Sequence, residues 1–175
     1  MENVEMNKKT GMFNPALQYG VLIAIGLAIL SLVIYLADLV TVNWLSFVGY
    51  AILLGGLVFG THKYRDESLG GYVTYGKALA FGTLTAFLAA IISGVFTYVF
   101  YTLIAPDALE TLKEAAEIRI LQENPNATDQ QIDLAMRMIS PVLLALSAIF
   151  GYTFLGFIFS LVTAAFIKKN EPMTE

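Results

Sequence analysis

Long runs of apolar residues alternate with shorter polar connections along most of the chain. Four runs carry almost no charge, at residues 15–40, 44–61, 79–105 and 141–167. A helix that crosses a bilayer needs about 20 apolar residues, and in hydrocarbon its backbone groups must bond within the same segment. The alternating pattern of a membrane β-strand is absent. We therefore predict four transmembrane helices at these positions, the third covering residues 77–105.

Proline and polar residues mark several predicted helix ends. Asn14-Pro15 and Ser140-Pro141 each combine a favourable N-cap residue with proline at the first helical position. Pro106 disfavours helical geometry at Ala105, so the third span is expected to end there. These signals define boundaries for the first, third and fourth spans.

Composition agrees with a membrane protein. Of the 175 residues, 57% are hydrophobic and only 14% are charged, whereas soluble domains carry about a quarter of charged residues. So few charges could not cover the surface of a soluble domain. The first apolar run is longer than the core of a signal peptide and lacks a following cleavage site, so we expect it to be retained. We predict an all-α, multi-pass membrane domain that covers residues 1–175.

The distribution of Lys and Arg predicts the orientation. Both termini and the connection between the second and third spans lie on one side of the membrane and hold seven basic residues: Lys8, Lys9, Lys63, Arg65, Lys77, Lys168 and Lys169. The opposite side holds three in a much longer connection. Since basic residues are retained in the cytoplasm, we expect both termini to be cytoplasmic.

The connection at residues 106–140 is predicted to form a helical hairpin on the outer side. Apolar residues recur at helical spacing before and after a break at 124–126. Residues 128–131 have the Thr-x-x-Gln pattern of a capping box, and Asp133 with Arg137 has the i,i+4 spacing of an ion pair. We therefore expect two amphipathic helices in this insertion.

This insertion has a net charge of −4, which equals the net charge of the whole chain. One interpretation is a lid, a docking surface or a vestibule that attracts cations. The other is that the acidic side chains are simply solvated, on helices that lie on the membrane or the bundle. The second interpretation is favoured because charged runs usually mark wet faces.

Small side chains form a stripe on the third predicted span. They recur every four residues, at Gly82, Ala86, Ala90 and Gly94. Helices in lipid associate where small residues allow their backbones to approach closely. We predict a helix-packing seam here, either within one chain, which is favoured, or between two copies of the chain.

Ionisable residues are absent from the middle of all four predicted spans. Such residues usually mark ion paths and proton relays, so their absence weakens a transport function. Trp44 and Tyr101 lie where interfacial aromatic residues are expected. Tyr152 lies about midway along the fourth span, and we expect its hydroxyl to be buried with a hydrogen-bond partner. A contact with a ligand is the alternative.

The connection between the second and third spans holds the only histidine of the chain. Its candidate contact residues for lipid headgroups or a partner are His62, Lys63, Arg65 and Lys77. The alternative is an anchored turn, in which cations suit the end of a helix and Gly70-Gly71 allows the reversal. We favour the anchored turn. Contact with anionic headgroups or a partner protein is the second hypothesis.

Motifs for catalysis, metal binding and cofactor binding are missing from the sequence. One histidine and no cysteine cannot supply a common zinc site, and Gly70-Gly71 lacks the spacing of a phosphate loop. Asp66 and Glu67 are adjacent and would diverge on a helix, which suits acid–base catalysis poorly. No basic patch is large enough for nucleic acid. We expect a protein that is not an enzyme and has no cofactor.

Two segments resemble a known family. The first includes Tyr64-Arg65-Asp66, Gly70-Gly71, Tyr75-Gly76-Lys77-Ala78 and Gly82; the second is GFIFSLVTAAFIKKNEP, residues 156–172. The chain resembles small bacterial four-helix integral membrane proteins catalogued as a domain of unknown function. The resemblance implies four spans, with a helical insertion between the last two. It implies no activity. We expect the location to be a bacterial inner membrane.

Three hypotheses for function remain. The leading one is a non-enzymatic scaffold or accessory subunit that contacts the lipid bilayer and either a membrane protein or a second copy of itself. The alternatives are a small permease or channel subunit acting as an oligomer, and a membrane sensor whose outer hairpin binds a ligand. Nucleic acid is not expected as a partner.

Overall fold

A computed structural model describes residues 11–170, so the predicted basic residues Lys8 and Lys9 lie outside the described part. The described residues form six α-helices: α1 (Phe13–Leu36), α2 (Ser46–Lys63), α3 (Tyr75–Val99), α4 (Pro106–Glu123), α5 (Asp129–Met138) and α6 (Pro141–Ile167). A short 3₁₀ turn, Asn43–Leu45, precedes α2. Single π-helical turns extend α2 through Tyr64–Ser68 and α3 through Phe100–Ile104.

Four of these helices are long and apolar enough to cross a membrane. They are α1, α2 with its flanking turns, α3 with its π turn, and α6, with lengths of 24, 26, 30 and 27 residues. Residues 11–170 contain no β-strand. The prediction of an all-α protein with four candidate spans is therefore confirmed.

The boundaries of α1 differ from the prediction at both ends. The helix begins at Phe13, so Asn14 lies inside it and is not the N-cap. Pro15 fits in the first turn, where its missing N–H would have no helical partner. The helix ends at Leu36 and not near residue 40, because Asp38 adopts a left-handed φ of 57°.

A Schellman motif closes this end of α1. The N–H of Asp38 donates to the carbonyl of Tyr35, and the N–H of Leu39 donates to the carbonyl of Ile34. This geometry usually places glycine in the left-handed position, and here aspartate occupies it. The chain then crosses to α2 within nine residues, 37–45.

The four long helices pack in the cyclic order α1, α2, α6, α3, and α3 has the most extensive contacts, chiefly with α6 and α1. A buried apolar cluster lies between them and comprises Ile23, Leu27, Leu53, Leu57, Ala86 and Ala89. Many apolar side chains on the outer faces of the bundle remain exposed.

Glycines bring α3 and α6 into close contact. A β-carbon added at Gly82 would lie 2.5 Å from the Ser160 hydroxyl oxygen, and one added at Gly156 would overlap the β-carbon of Ala86. One added at Gly94 would overlap the side chain of Ile149. The fourth member of the predicted seam, Ala90, is fully buried. The stripe is thus covered by α6 of the same chain.

The insertion between α3 and α6 forms the helices α4 and α5. Only the first turn of α4 is buried, at Ala108 and Leu109. The hydroxyl of Tyr35 on α1 donates to the carboxylate of Asp107, with oxygen–oxygen distances of 3.0 and 3.1 Å. This bond fixes the start of α4 to the end of α1.

The short helix α5 begins as its sequence predicts. The Thr128 hydroxyl accepts from the Gln131 N–H, and the Gln131 side chain accepts from the Thr128 N–H, which completes the capping box. Asp133 and Arg137 form the predicted ion pair at 2.9 Å. The packing of α5 is mainly against α4. Most of the hairpin surface beyond the first turn of α4 is therefore uncovered.

Candidate functional site

The bundle has two distinct ends. At the latch end, the α2–α3 connection (residues 64–74) meets the C-terminal end of α6. At the hairpin end, the α1–α2 connection lies beside the start of α4. Each end holds a cluster of polar side chains, and the residues predicted as contacts belong to the latch end.

Ion pairs organise the latch end because the chain remains helical beyond the predicted end of α2. The π turn places two carboxylates four residues after two basic side chains. His62 Nδ1 lies 3.0 Å from Asp66, and Lys63 Nζ lies 2.7 Å from Glu67. These pairs are exposed, so each stabilises the protein only slightly.

Arg65 is the most enclosed of the charged residues at the latch end. Its side chain is 17% exposed, and its Nε donates to the Asp66 carboxylate over 2.7 Å. A terminal nitrogen donates to the carbonyl oxygen of Ile167 over 3.3 Å. That carbonyl is one of the last in α6, where a cation also interacts favourably with the helix dipole.

Backbone pairing also joins these two segments. We call the contacts between residues 64–74 and the C-terminal end of α6 the latch. The N–H groups of Val73 and Lys169 each donate to the other residue's carbonyl over 2.9 Å. The ammonium group of Lys169 lies 5.3 Å from the ring centroid of Tyr72, which is within the range of a cation–π contact. The reversal before Val73 uses Gly70 and Gly71, with φ values of 67° and 90°.

The four predicted contact residues thus have different environments. Lys63 and Arg65 each form an ion pair with a neighbouring carboxylate, and His62 Nδ1 lies within hydrogen-bond distance of Asp66. Lys77, in the first turn of α3, is exposed and forms no ion pair with another residue in the range 11–170. The structure therefore favours an anchored turn for the first three, and contact with headgroups or a partner stays a prediction.

A cavity of about 370 Å³ opens between the four long helices at the hairpin end. Its walls are mainly apolar side chains, including Leu30, Ile34, Phe96 and Leu155. It also contains several hydroxyl groups, on Ser31, Ser46, Tyr50, Thr97, Tyr101, Ser147 and Tyr152. None of the described side chains that line it is charged. We call it the hairpin-end cavity.

The hydroxyls of this cavity fall into two groups. Ser31 donates to the Leu27 carbonyl over 3.0 Å, and Thr97 donates to the Ser93 carbonyl over 2.8 Å, as is usual on membrane helices. The hydroxyls of Ser46, Ser147 and the three tyrosines form no hydrogen bond to any part of the described chain.

The hydrogen-bonding state of Tyr152 differs from the sequence-based expectation, since its hydroxyl was expected to bond within the protein. The hydroxyls of Tyr50, Tyr101 and Tyr152 are instead open to the cavity, where water or a ligand can bond to them.

Sequence reasoning missed this cavity, although a signal is present. Small residues lie beside tyrosines in Ser46–Tyr50 of α2 and Ser147–Tyr152 of α6. In each segment the small residues leave space beside the tyrosine side chain on the same helix. Tyr101 was assigned to the membrane interface, whereas it also lines the cavity. Only the packing of the helices brings the three tyrosines together.

The cavity ends at the buried cluster in the centre of the bundle. Leu27 belongs both to the cavity wall and to that cluster, and Leu53 and Leu57 lie deeper. No group of three or more potential metal-binding side chains occurs in the range 11–170. The arrangement is suited to non-covalent binding of a neutral molecule.

Four helices are long and apolar enough to cross a membrane, which is consistent with the class of multi-pass helical membrane proteins. The family described as "Protein of unknown function (DUF4199)" matches residues 18–169, and the chain belongs to this family. The family resemblance found in the sequence is thus confirmed. No curated protein and no solved structure matches the chain.

Proposed function

We propose that the protein is a non-enzymatic accessory subunit or scaffold of the bacterial inner membrane, with the α4–α5 hairpin as its docking element. The observation that carries this proposal is the uneven attachment of the hairpin. Its start is fixed by Asp107 and by the buried residues Ala108 and Leu109, while most of its remaining surface is uncovered. An element that is held at its base and exposed beyond it is suited to contact a partner.

The orientation is part of the proposal. The excess of Lys and Arg near the latch end supports a cytoplasmic location for that end and for both termini. The hairpin then lies outside the cytoplasm. Reporter fusions after Gly70 and after Asn126 test this directly: a periplasm-active reporter should be silent at the first position and active at the second. The opposite pattern would overturn the orientation.

Two surfaces of the hairpin support a docking role. Glu110, Glu114 and Glu117 are exposed on one face of α4, because their spacing is four and three residues. On α5, Leu134 and Met138 are 57% and 66% exposed. Only two residues separate the end of α5 from Pro141, so the apolar face of α5 is held close to the bilayer surface. The acidic face of α4 is then free for a basic segment of another membrane protein.

Site-specific photocrosslinking in intact cells tests this docking role. A photoreactive residue at Thr111, which is exposed one residue after Glu110, should form a protein crosslink. Replacing Glu110, Glu114 and Glu117 by Gln should reduce the crosslink. The control changes Glu123 to Gln and Asp129 and Asp133 to Asn, which alters the charge equally but leaves the acidic face of α4 intact. Crosslinks to lipid alone, or equal yields from both variants, would contradict the proposal.

The transport alternative requires a continuous path between the two sides of the membrane. The hairpin-end cavity stops at the buried cluster around Leu53 and Leu57, so a path would need these helices to separate. The cavity is more suited to binding than to passage. A flux assay with the purified protein in liposomes, over a panel of ions and metabolites, distinguishes the two functions.

A further inference from the structure

We propose that the hairpin-end cavity binds an uncharged, lipid-soluble molecule that carries hydrogen-bond-accepting oxygen atoms. This inference does not depend on the docking role proposed for the hairpin. It rests on the polar groups in the cavity, on its volume and on its position in the bundle.

The polar groups define the chemistry of the ligand. Tyr50, Tyr101 and Tyr152 present hydroxyls that are unpaired within residues 11–170, and each can donate one hydrogen bond. A carbonyl or ester oxygen of a ligand would accept these bonds. A charged ligand would lose its hydration with no opposite charge among the lining residues, so a neutral molecule is favoured.

The volume of the cavity suits a small molecule. At about 370 Å³ it falls within the range of small-molecule sites, roughly 300–1,000 Å³. Residues without large side chains maintain this volume. Gly49 and Gly151 line the cavity without a side chain, and a β-carbon added at Gly49 would lie 3.7 Å from the Tyr152 hydroxyl.

The apolar walls of the cavity and its place between four apolar helices favour a lipid-soluble ligand. Leu39 and Val40 of the α1–α2 connection contribute to its rim, and the buried cluster closes its inner side. The apolar walls would cover the body of the ligand, while the tyrosines would bind its oxygen atoms. This chemistry has two sources, the ester region of a neutral glycerolipid and a free lipid-soluble carbonyl compound.

Binding to the full chain in lipid nanodiscs tests the inference. The probes are dioctanoylglycerol as a neutral lipid and 2-undecanone as a free carbonyl compound. Undecane matches the ketone without its oxygen, and dioctanoylphosphatidylglycerol adds a negative charge. Trp44 is the only tryptophan and precedes the lining residue Leu45, so its fluorescence reports occupancy. A rise in unfolding temperature provides a second measurement.

One or both oxygen-bearing neutral probes should bind, and whichever binds more tightly indicates the source of the ligand. Tyr152→Phe should weaken that binding about three- to tenfold, because one hydrogen bond is lost. Tyr98→Phe is the control, since Tyr98 does not line the cavity. Gly151→Leu should fill the cavity and abolish binding, whereas Gly55→Leu, at a position with equally open space, should not.

Several results would overturn the inference. Equal binding of 2-undecanone and undecane would show that the hydroxyls have no role, and stronger binding of the anionic lipid would exclude a neutral site. No binding of either neutral probe would indicate a cavity filled by water. If Gly151→Leu fails to fold, the comparison of Tyr152→Phe with Tyr98→Phe still decides: equal affinities would contradict the proposal.

Discussion

Gly156 on α6 faces the β-carbon of Ala86 on α3 so closely that any side chain at position 156 would overlap it. One turn further along α6, Ser160 lies against Gly82 in the same way, and its hydroxyl donates to the Gly156 carbonyl over 2.6 Å. Close backbone approach replaces the hydrophobic effect as the source of helix association in lipid. The α3–α6 contact is therefore sensitive to any side-chain volume added at position 156.

Gly156→Ala should destabilise the protein by about 1–3 kcal/mol, because the added methyl group forces α3 and α6 apart. The free energy of unfolding in detergent, followed by circular dichroism, measures this effect. Gly151→Ala is the control on the same helix, since a β-carbon there meets nothing. The control should be neutral or stabilising, because alanine favours the helix. Equal stability of the two variants would contradict the packing described here.

Arg65→Ala should destabilise the latch end by about 1–3 kcal/mol, because it removes charge-assisted hydrogen bonds to Asp66 and Ile167. Arg65→Lys should recover only part of this loss, since an ammonium group cannot reproduce the fork of donors. Proteolysis of the C-terminal segment should accelerate in both variants, and the unfolding temperature should fall.

Lys63→Ala is the matched control for the latch, because Lys63 pairs with Glu67 on the exposed surface and contacts no part of α6 through a hydrogen bond. It should leave the unfolding temperature nearly unchanged. If Lys63→Ala and Arg65→Ala instead reduced binding to anionic vesicles equally while leaving stability intact, the predicted headgroup contact would be favoured over the latch.

Gly71→Ala should cost about 1–2 kcal/mol of stability, because residue 71 has a φ of 90° that side-chain-bearing residues adopt only with strain. Thermal unfolding of the purified variant measures this cost. Gly76→Ala in the same region is the control: residue 76 is helical, and a β-carbon there meets nothing. A comparable loss in both variants would contradict a conformational cause.

Tyr35→Phe should loosen the base of the hairpin, because it removes the hydrogen bond to Asp107. Hydrogen exchange of the amides in the first turns of α4 should accelerate several-fold, while exchange in α3 should not change. Asp107→Asn should have a similar but smaller effect, since an amide can still accept from the hydroxyl. Tyr98→Phe, which removes a hydroxyl without a described partner, should leave exchange at its normal rate.

The apolar runs predict the number and type of candidate spans well. A backbone in hydrocarbon cannot bond to water, so an apolar run must satisfy its hydrogen bonds internally by forming a helix. Helix ends are predicted less well. The sequence places the end of α2 at residue 61, before the first charged residues. In the structure the chain stays helical through Ser68, which brings His62 and Lys63 within reach of the carboxylates four residues later.

Contacts between distant residues are the part that the sequence does not reveal. The stripe containing Gly82 and Gly94 is visible from its four-residue spacing, but its partner could be any of three helices or a second chain. Likewise, Arg65 is a residue type that commonly contacts lipid headgroups. Its hydrogen-bond partner, the carbonyl of Ile167, lies 102 residues further along the sequence. Pairing of this kind depends on the packing of α3 against α6.

The cavity was harder to predict for a related reason. A tyrosine near the end of a membrane helix is typical of the interface, so Tyr101 alone does not indicate a site. Its significance comes from Tyr50 and Tyr152, which belong to two other helices. A binding site built from three helices is apparent only when their rotation and depth are known.

The latch also constrains how the protein is made. Ribosomes synthesise the chain from its N-terminus, so α1, α2 and α3 can enter the membrane before residues 167–169 exist. The pairing of Val73 with Lys169 and the bond from Arg65 to Ile167 must then form after α6 has been synthesised. Final closure of the bundle is therefore a post-insertional event, and a truncated chain that ends before α6 would remain open at this end.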